Sequence, residues 1–214
     1  MKLNLFVILF YAFSPVLLSS QTDSSLVAND TVLLDGIFIT YHDFRYNHPI
    51  IKEKLISSIS KDQLDFIGKS LEKETFSYKA DQNVFTINSK AVWGFFQNKT
   101  LYVNYKGNFY RVPVFGAICY LVATVEVMGS GFYDPMFGPG MGSTARRQEV
   151  REFLINYYNG IITEFKTDYA ELLISRDKEL YAEFKKLSRK KQRDQISRYI
   201  RKYNENNPIY FLKE

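Results

Sequence analysis

AVWGFFQNKTLYVNYKGNFYRVPVFGAICYLVATVEV (residues 91–127) is the stretch that decides the fold of this chain. It is rich in aromatic and β-branched side chains, which suit a pleated, half-buried surface. The polar pairs Asn98-Lys99 and Lys106-Gly107 interrupt it where a chain can turn back on itself. The stretch therefore predicts an antiparallel meander. Its predicted strands cover residues 92–97, 100–105, 108–112 and 114–127.

The last of these runs, residues 114–127, is apolar enough to suggest a membrane helix. Arg111 and Glu126 bracket only about 14 apolar residues, whereas a membrane span needs about 20. We therefore expect a strand that is buried on both faces. Cys119 lies within it and is the only cysteine, so an intramolecular disulfide is excluded and a small buried core residue is predicted.

Residues 1–20 have the layout of a secretory signal peptide, with Lys2, an apolar stretch and then small residues. We expect cleavage near Ser20 and export to the periplasm, the outer envelope or the medium. The alternative is an N-terminal anchor in the inner membrane, against which Pro15 and the short apolar span argue. Residues 21–32 are polar and without periodicity, and predict a flexible mature N-terminus.

Residues 33–212 predict a single α+β domain, because about 190 residues remain after the leader. Its first part, residues 33–128, is expected to be rich in sheet. Residues 33–40 predict the first strand, after which Thr40 caps a helical turn that ends before Pro49.

The segment between this turn and the meander is less regular. Residues 50–60 have apolar positions at helical spacing, with an alternating strand as the alternative. Three short alternating runs, at residues 63–70, 75–79 and 84–87, predict additional strands of the meander.

Residues 151–166 predict a β-hairpin. Asn159-Gly160 is the strongest two-residue hairpin signal, because both turn positions require positive φ. The register that follows from a two-residue turn places Leu154 opposite Phe165.

Residues 168–204 predict two or three short helices with Lys and Arg on their exposed faces. Asp168 is expected to cap the first helix in a capping box with Glu171. Residues 206–208 end the last helix, and residues 209–212 predict an edge strand or a packed tail. We expect the helices to pack on the antiparallel sheet through Leu180, Phe184, Ile196 and Tyr199.

Residues 129–144 form a Gly- and Pro-rich loop, with five Gly and two Pro in sixteen residues. A loop of this length is either functional or a surface insertion. The aromatic side chains Phe132, Tyr133 and Phe137 are the candidate binding residues, since a lid or binding loop would use them. The loop is not a nucleotide-binding P-loop, because no Lys follows its last Gly.

The sequence contains no complete catalytic or metal-binding motif. Glu126 and Asp134 are the two carboxylates that we would inspect for glycoside hydrolysis, since such pairs are distant in sequence. His42 and His48 are the only histidines, and their spacing matches no zinc motif, so neither a metal nor a cofactor is expected.

Positive charge is concentrated near the C-terminus. Residues 176–202 contain eleven Lys or Arg against four Asp or Glu, a local balance of +7, whereas the whole chain carries +5. The run KKLSRKKQR could bind anionic lipid or acidic polysaccharide. Nucleic acid is not expected as a partner of an exported protein, and an ordinary solvated helix face is the plainer interpretation.

Three segments carry a resemblance to known proteins: GIFITYHDFRYNHP (residues 36–49), VWGFFQNKTLYVNYKGNFYRV (92–112) and RDKELYAEFKKLSRKKQRDQISRYIRKYNENNPIYF (176–211). The chain resembles a group of exported bacterial proteins of unassigned function. The resemblance implies a Gram-negative envelope or secreted protein and supplies no catalytic set.

The leading functional hypothesis is a non-enzymatic envelope protein that binds or scaffolds another envelope protein, a glycan or anionic lipid. One alternative is a hydrolase that acts on glycans through carboxylates near the Gly-rich loop, and another is membrane association through the basic helices. A hydrolase predicts a deep pocket with two carboxyl groups, whereas a binding protein predicts a shallow aromatic patch.

Overall fold

The computed structural model describes residues 27–28, 31–128 and 146–212. Strands and helices in these residues form an α+β architecture, which confirms the predicted fold class. The predicted signal peptide and the loop of residues 129–144 lie outside the described residues. Within residues 21–32, the strands β1 (Val27–Ala28) and β2 (Thr31–Val32) pair antiparallel.

The predicted meander forms the central sheet. Its four antiparallel strands have the order β3–β7–β8–β9. They are β3 (Gly36–Phe38), β7 (Gly94–Gln97), β8 (Thr100–Tyr105) and β9 (Asn108–Arg111). Both tight turns are the predicted ones: Asn98 and Lys99 have positive φ, as do Lys106 and Gly107, which suits the twist of the flanking strands.

A second sheet contains β10 (Ile118–Met128), β11 (Arg146–Asn156) and β12 (Ile162–Glu164) in that order. The prediction that residues 114–127 continue the meander is wrong. β10 pairs with β11 over its whole length instead, because β11 is an equally long antiparallel partner.

The predicted burial of this strand on both faces is also wrong. Beyond Tyr120 the strand alternates, with Leu121 and Ala123 buried and Val122 and Thr124 exposed. Only one face of β10 therefore lies in the core. Cys119 is 3% exposed, as predicted, and burial raises the pKa of its thiol to about 12.

A third, smaller sheet has the order β4–β5–β6. Its strands are β4 (Leu55–Ile56), β5 (Thr75–Ala80) and β6 (Asn83–Asn88). The strands predicted at residues 75–79 and 84–87 are confirmed, but they belong to this sheet and not to the meander.

The segment before β5 differs from its prediction. Residues 50–60 hold a short 3₁₀ turn (Lys52–Lys54) and β4 instead of the favoured helix. The strand predicted at residues 63–70 is wrong, because this segment contains the helix α2 (Phe66–Leu71). Its buried residues recur at helical spacing and pack against the central sheet: Phe66, Ile67, Ser70 and Leu71.

The remaining helices lie at the two ends of the described chain. They are α1 (Tyr41–Arg45), α3 (Thr167–Ile174), α4 (Lys178–Lys185) and α5 (Arg189–Asn206). The predicted cap of α1 is confirmed: Thr40 Oγ1 accepts from the Asp43 N–H at 3.1 Å, and Asp43 Oδ2 accepts from the Thr40 N–H at 2.8 Å. The predicted cap at Asp168 is wrong, because α3 begins at Thr167 after Lys166 and has no side-chain cap.

The hairpin forms at the predicted residues, but the register of its two strands differs from the prediction. Leu154 pairs with Thr163 instead of Phe165, and the loop of residues 157–160 is four residues long. The burial of Tyr157 explains why the loop is longer than the predicted two residues. Tyr157 is 1% exposed, and it donates from its N–H to the Ala117 carbonyl at 3.1 Å and from its hydroxyl to the Tyr210 carbonyl at 2.9 Å.

The central sheet separates two hydrophobic clusters. On one face, Leu101 and Val103 join the larger cluster with the second sheet and α3–α5. The predicted packing residues all belong to it: Leu180, Phe184, Ile196 and Tyr199. On the other face, Ile37 and Phe95 join the smaller cluster with α2 and β5.

Arg45 joins α1 to two distant parts of the chain. Its Nη1 donates to the carbonyls of Tyr157 at 3.0 Å and Tyr158 at 3.2 Å, and its guanidinium carbon lies 4.6 Å from the centre of the Tyr157 ring. Its own carbonyl accepts from the Leu212 N–H at 2.8 Å. The segment at residues 209–212 is therefore the packed tail, the second of the two predicted forms, with Phe211 5% exposed.

Replacement of Arg45 by Lys is expected to lower the free energy of unfolding by about 1–3 kcal/mol, because an ammonium group lacks the planar guanidinium that lies over the Tyr157 ring while Nη1 donates to two carbonyls. Chemical denaturation measures this change. Arg176→Lys is the matched control, since Arg176 is exposed and lies 5.8 Å from the Tyr158 ring. Equal stability of the two variants would contradict the role of Arg45.

The Glu171 carboxylate predicts a pH-dependent stability. Its side chain is 14% exposed, and Lys185 at 2.8 Å and Tyr181 at 3.1 Å donate to it. The hydrogen bond from Lys185 is the main cause that lowers the pKa of Glu171.

A lowered folded-state pKa adds stability above the unfolded pKa and loses it as the pH falls through the folded pKa. We therefore expect Glu171→Gln to be about 1 kcal/mol less stable than the wild type at pH 7 and nearly equal to it at an acidic pH below the lowered folded-state pKa. Denaturation at both pH values tests this, with the exposed Glu179→Gln as control. A difference that persists at low pH would refute the assignment.

Candidate functional site

An open cleft of about 800 Å³ lies between α2, the β5–β6 hairpin and the strands β7–β9. Three aromatic residues, Phe95, Tyr102 and Phe109, line it, and we call it the aromatic cleft. Its volume is within the range of ligand-binding pockets in proteins, which is roughly 300–1,000 Å³.

The register of the central sheet brings the aromatic rings together. Phe95 and Tyr102 are direct cross-strand neighbours, and their rings stack with centroids 4.6 Å apart and planes 7° apart. The Phe109 ring meets Phe95 edge to face at 5.3 Å and 71°. Phe95 is 5% exposed, whereas Tyr102 and Phe109 are half-buried. A ligand would therefore contact mainly Tyr102 and Phe109.

Helix α2 forms the wall opposite this stack. Gly68 faces Phe95 so closely that an added Cβ would lie 3.6 Å from the ring. The Gly68 N–H donates to Gln97 Oε1 at 3.0 Å, and Gln97 in turn donates to the Leu64 carbonyl. These bonds fix α2 on β7 and hold the cleft at its observed width.

The rim of the cleft is polar and balanced in charge. Glu72, Lys73 and Glu74 line it on the side of α2, and Lys90 lines it after β6. Two carboxylates and two ammonium groups favour neither an anionic nor a cationic ligand. Two amide side chains add neutral donors and acceptors: Asn88 and Asn108.

Ser89 is a buried polar residue in the wall of the cleft. It is 3% exposed, and its N–H donates to the Glu74 carbonyl at 2.9 Å. Its hydroxyl has no hydrogen-bond partner among the described residues. A buried hydroxyl without a partner is unfavourable by about 1–3 kcal/mol, and because this oxygen has almost no accessible surface it does not face the open space of the cleft.

A second, more polar cleft of about 680 Å³ lies beside the first. Asn108 and Phe109 line both clefts, so β9 separates them. The second cleft contains Glu126, one of the two carboxylates that the sequence singled out. The Glu126 side chain is 64% exposed, and its nearest cation is Arg146 at 4.0 Å.

The other predicted site residues belong to the Gly-rich loop. Asp134, Phe132, Tyr133 and Phe137 lie outside the described residues. Their role stays a prediction, and so does the pairing of Asp134 with Glu126.

No cluster of three potential metal ligands occurs in residues 31–128 and 146–212. His42 and His48 are both exposed there. Among the helices that the structure describes, none has the length and apolar character that crossing a membrane requires.

The basic C-terminal helices are partly neutralised by acidic neighbours. Glu171 pairs with Lys185 at 2.8 Å and Arg189 at 3.4 Å, and Glu183 pairs with Lys202 at 2.9 Å. Several basic side chains of α5 remain exposed: Lys190, Lys191, Arg193, Arg198 and Arg201.

Comparison of the chain with family models, curated proteins and solved structures finds no match. The clefts themselves must therefore carry the functional argument.

The sequence contained a signal for the aromatic cleft that the loop-centred prediction missed. The period of two in β8 places Leu101 and Val103 on one face and Tyr102 on the other. Phe95 and Phe109 fall on the same face as Tyr102. An aromatic row on the second face of a meander indicates either a second core or a binding surface. Here Phe95 belongs to the smaller core, while Tyr102 and Phe109 stay half-buried at the cleft.

Proposed function

We propose that this chain is an exported, non-enzymatic binding domain whose aromatic cleft holds uncharged sugar residues of a glycan. The observation that carries this proposal is the aromatic floor of the cleft, where Tyr102 and Phe109 remain half-buried beside the Phe95 stack. The apolar ring faces and the charge-balanced rim favour a neutral ligand that has both an apolar face and many hydroxyl groups.

A pyranose ring meets these requirements. Its axial C–H groups form an apolar face that stacks on an aromatic ring, where the negative ring face attracts them. Its hydroxyl groups can donate to the carboxylates of Glu72 and Glu74 and exchange hydrogen bonds with Asn88 and Asn108. A site with an apolar floor and a few polar groups fixes both the position and the orientation of such a ligand.

The proposed location agrees with the proposed ligand. Export is supported by the leader-like residues 1–20. An envelope or secreted protein encounters cell-wall, surface and external glycans.

A hydrolase is the second candidate, because Glu72 and Glu74 line the same cleft. Glycosidases use two carboxyl groups that flank the scissile bond. Incubation with oligosaccharides followed by mass analysis separates the candidates. Intact oligosaccharides support the binding domain. Shortened products that disappear in Glu72→Gln or Glu74→Gln would replace it with the hydrolase.

Replacement of Tyr102 by Ala is expected to weaken oligosaccharide binding about tenfold, because the lost stacking area is worth about 1–2 kcal/mol. Calorimetric titration with uncharged hexose and N-acetylhexosamine oligomers measures the affinity. Tyr210→Ala is the matched control, since Tyr210 is 52% exposed and does not line the cleft.

The wild type and Tyr210→Ala should bind equally well. The proposal fails if none of the oligomers binds the wild type, or if Tyr102→Ala binds them with unchanged affinity.

A further inference from the structure

Strand β6 is an exposed edge of the third sheet. It pairs with β5 through an uninterrupted register from Asn83 to Asn88, and among the described strands it has no second neighbour. Val84 is 61% exposed and Phe85 is 44% exposed.

Edge strands usually carry a charge, a proline or a bulge that prevents pairing with another chain. The sequence NVFTIN of β6 contains no charge and no proline, and its ladder has no bulge. This edge is therefore suited to pairing.

The hydrogen-bond pattern between β5 and β6 shows which backbone N–H and C=O groups of β6 point away from the sheet. Asn83 pairs with Ala80 next to a two-residue turn, and the Ser89 N–H donates to Glu74. Odd-numbered residues of β6 thus direct their backbone groups toward β5, because antiparallel strands alternate between the two sides. Val84, Thr86 and Asn88 direct their N–H and C=O groups away from the sheet.

We propose that β6 pairs antiparallel with β6 of a second copy of this chain, which joins the two small sheets into one of six strands. A two-fold axis requires a surface that complements itself. The outward groups of Val84, Thr86 and Asn88 are spaced symmetrically about Thr86, so Thr86 can exchange hydrogen bonds with Thr86 of the other copy.

This register also matches the side chains. Phe85 of each copy lies opposite Ile87 of the other, and an aromatic residue beside a β-branched one is a favourable cross-strand pair. Phe85 and Ile87 lie on the same face of the small sheet as Tyr78. The rings of Tyr78 and Phe85 stack with their centroids 5.5 Å apart. Pairing would cover the exposed part of Phe85.

The charges at the two ends of β6 favour a second copy as the occupant. Asp81 lies in the turn before the strand, and Lys90 follows it. Antiparallel pairing brings Asp81 of each copy to the end where Lys90 of the other copy lies, so opposite charges meet at both ends. No like charges oppose each other along the strand.

Each copy in the dimer would carry its own aromatic cleft. This cleft lies at the end of β6, where Asn88, Ser89 and Lys90 line it. The inference does not depend on what the cleft binds.

Sedimentation velocity of the purified chain, at concentrations up to roughly 1 mM, tests the proposal, because small interfaces are weak. We expect dimers to increase with concentration. Thr86→Lys should raise the dimer dissociation constant about three- to tenfold, because it places like charges opposite each other at the axis. Thr75→Lys is the matched control: Thr75 is exposed on the inner strand β5 of the same hairpin, and its dimerisation should be unchanged.

Hydrogen exchange of the wild type supplies a measurement that needs no substitution. The amide protons of Val84, Thr86 and Asn88 should exchange more slowly as the concentration rises. A monomer at every concentration overturns the proposal. The proposal is also overturned if a dimer forms whose dissociation constant is the same in Thr86→Lys and whose Val84, Thr86 and Asn88 amides exchange rapidly.

Discussion

The cross-strand pairing of β7 and β8 is the constraint on which the rest of the structure depends. It places Leu101 and Val103 on one face of the central sheet and stacks Phe95 on Tyr102 on the other. Both faces are apolar, so each must be covered, and each fully buried large side chain contributes about 1.5–3 kcal/mol. The second sheet and the C-terminal helices cover the first face. Helix α2 and β5 cover the second only in part, and the uncovered part is the aromatic cleft.

Long-range contacts complete the larger core. Tyr157 leaves the hairpin ladder to enter this core, and Arg45 of α1 holds its carbonyl and its ring. The tail then closes over α1 through the bond from Leu212 to Arg45. Segments that are far apart in sequence therefore stabilise one another, and the cores on both faces hold the central sheet in a fixed geometry for the cleft.

The sequence predicted the turns and the helix cap that depend only on neighbouring residues. The two tight turns of the meander follow from Asn98-Lys99 and Lys106-Gly107, and the cap of α1 follows from Thr40. Features that depend on distant partners could not be predicted. The choice of β11 as the partner of β10 is a long-range pairing, and the hairpin register depends on the burial of Tyr157. The aromatic cleft was predictable in part, because Tyr102 falls on the opposite face of β8 from Leu101 and Val103. Its alignment with Phe95 and Phe109 depends on the register of three strands.

The most direct test of this account is an NMR titration of the chain with an uncharged oligosaccharide that it binds, with the chemical-shift changes mapped residue by residue. The account predicts the largest changes at the Tyr102 and Phe109 rings, with smaller changes at Gly68 and Ser89 on the facing walls. Changes confined to α5, or to residues outside the aromatic cleft, would contradict the claim that the incompletely covered face of the central sheet is the binding site.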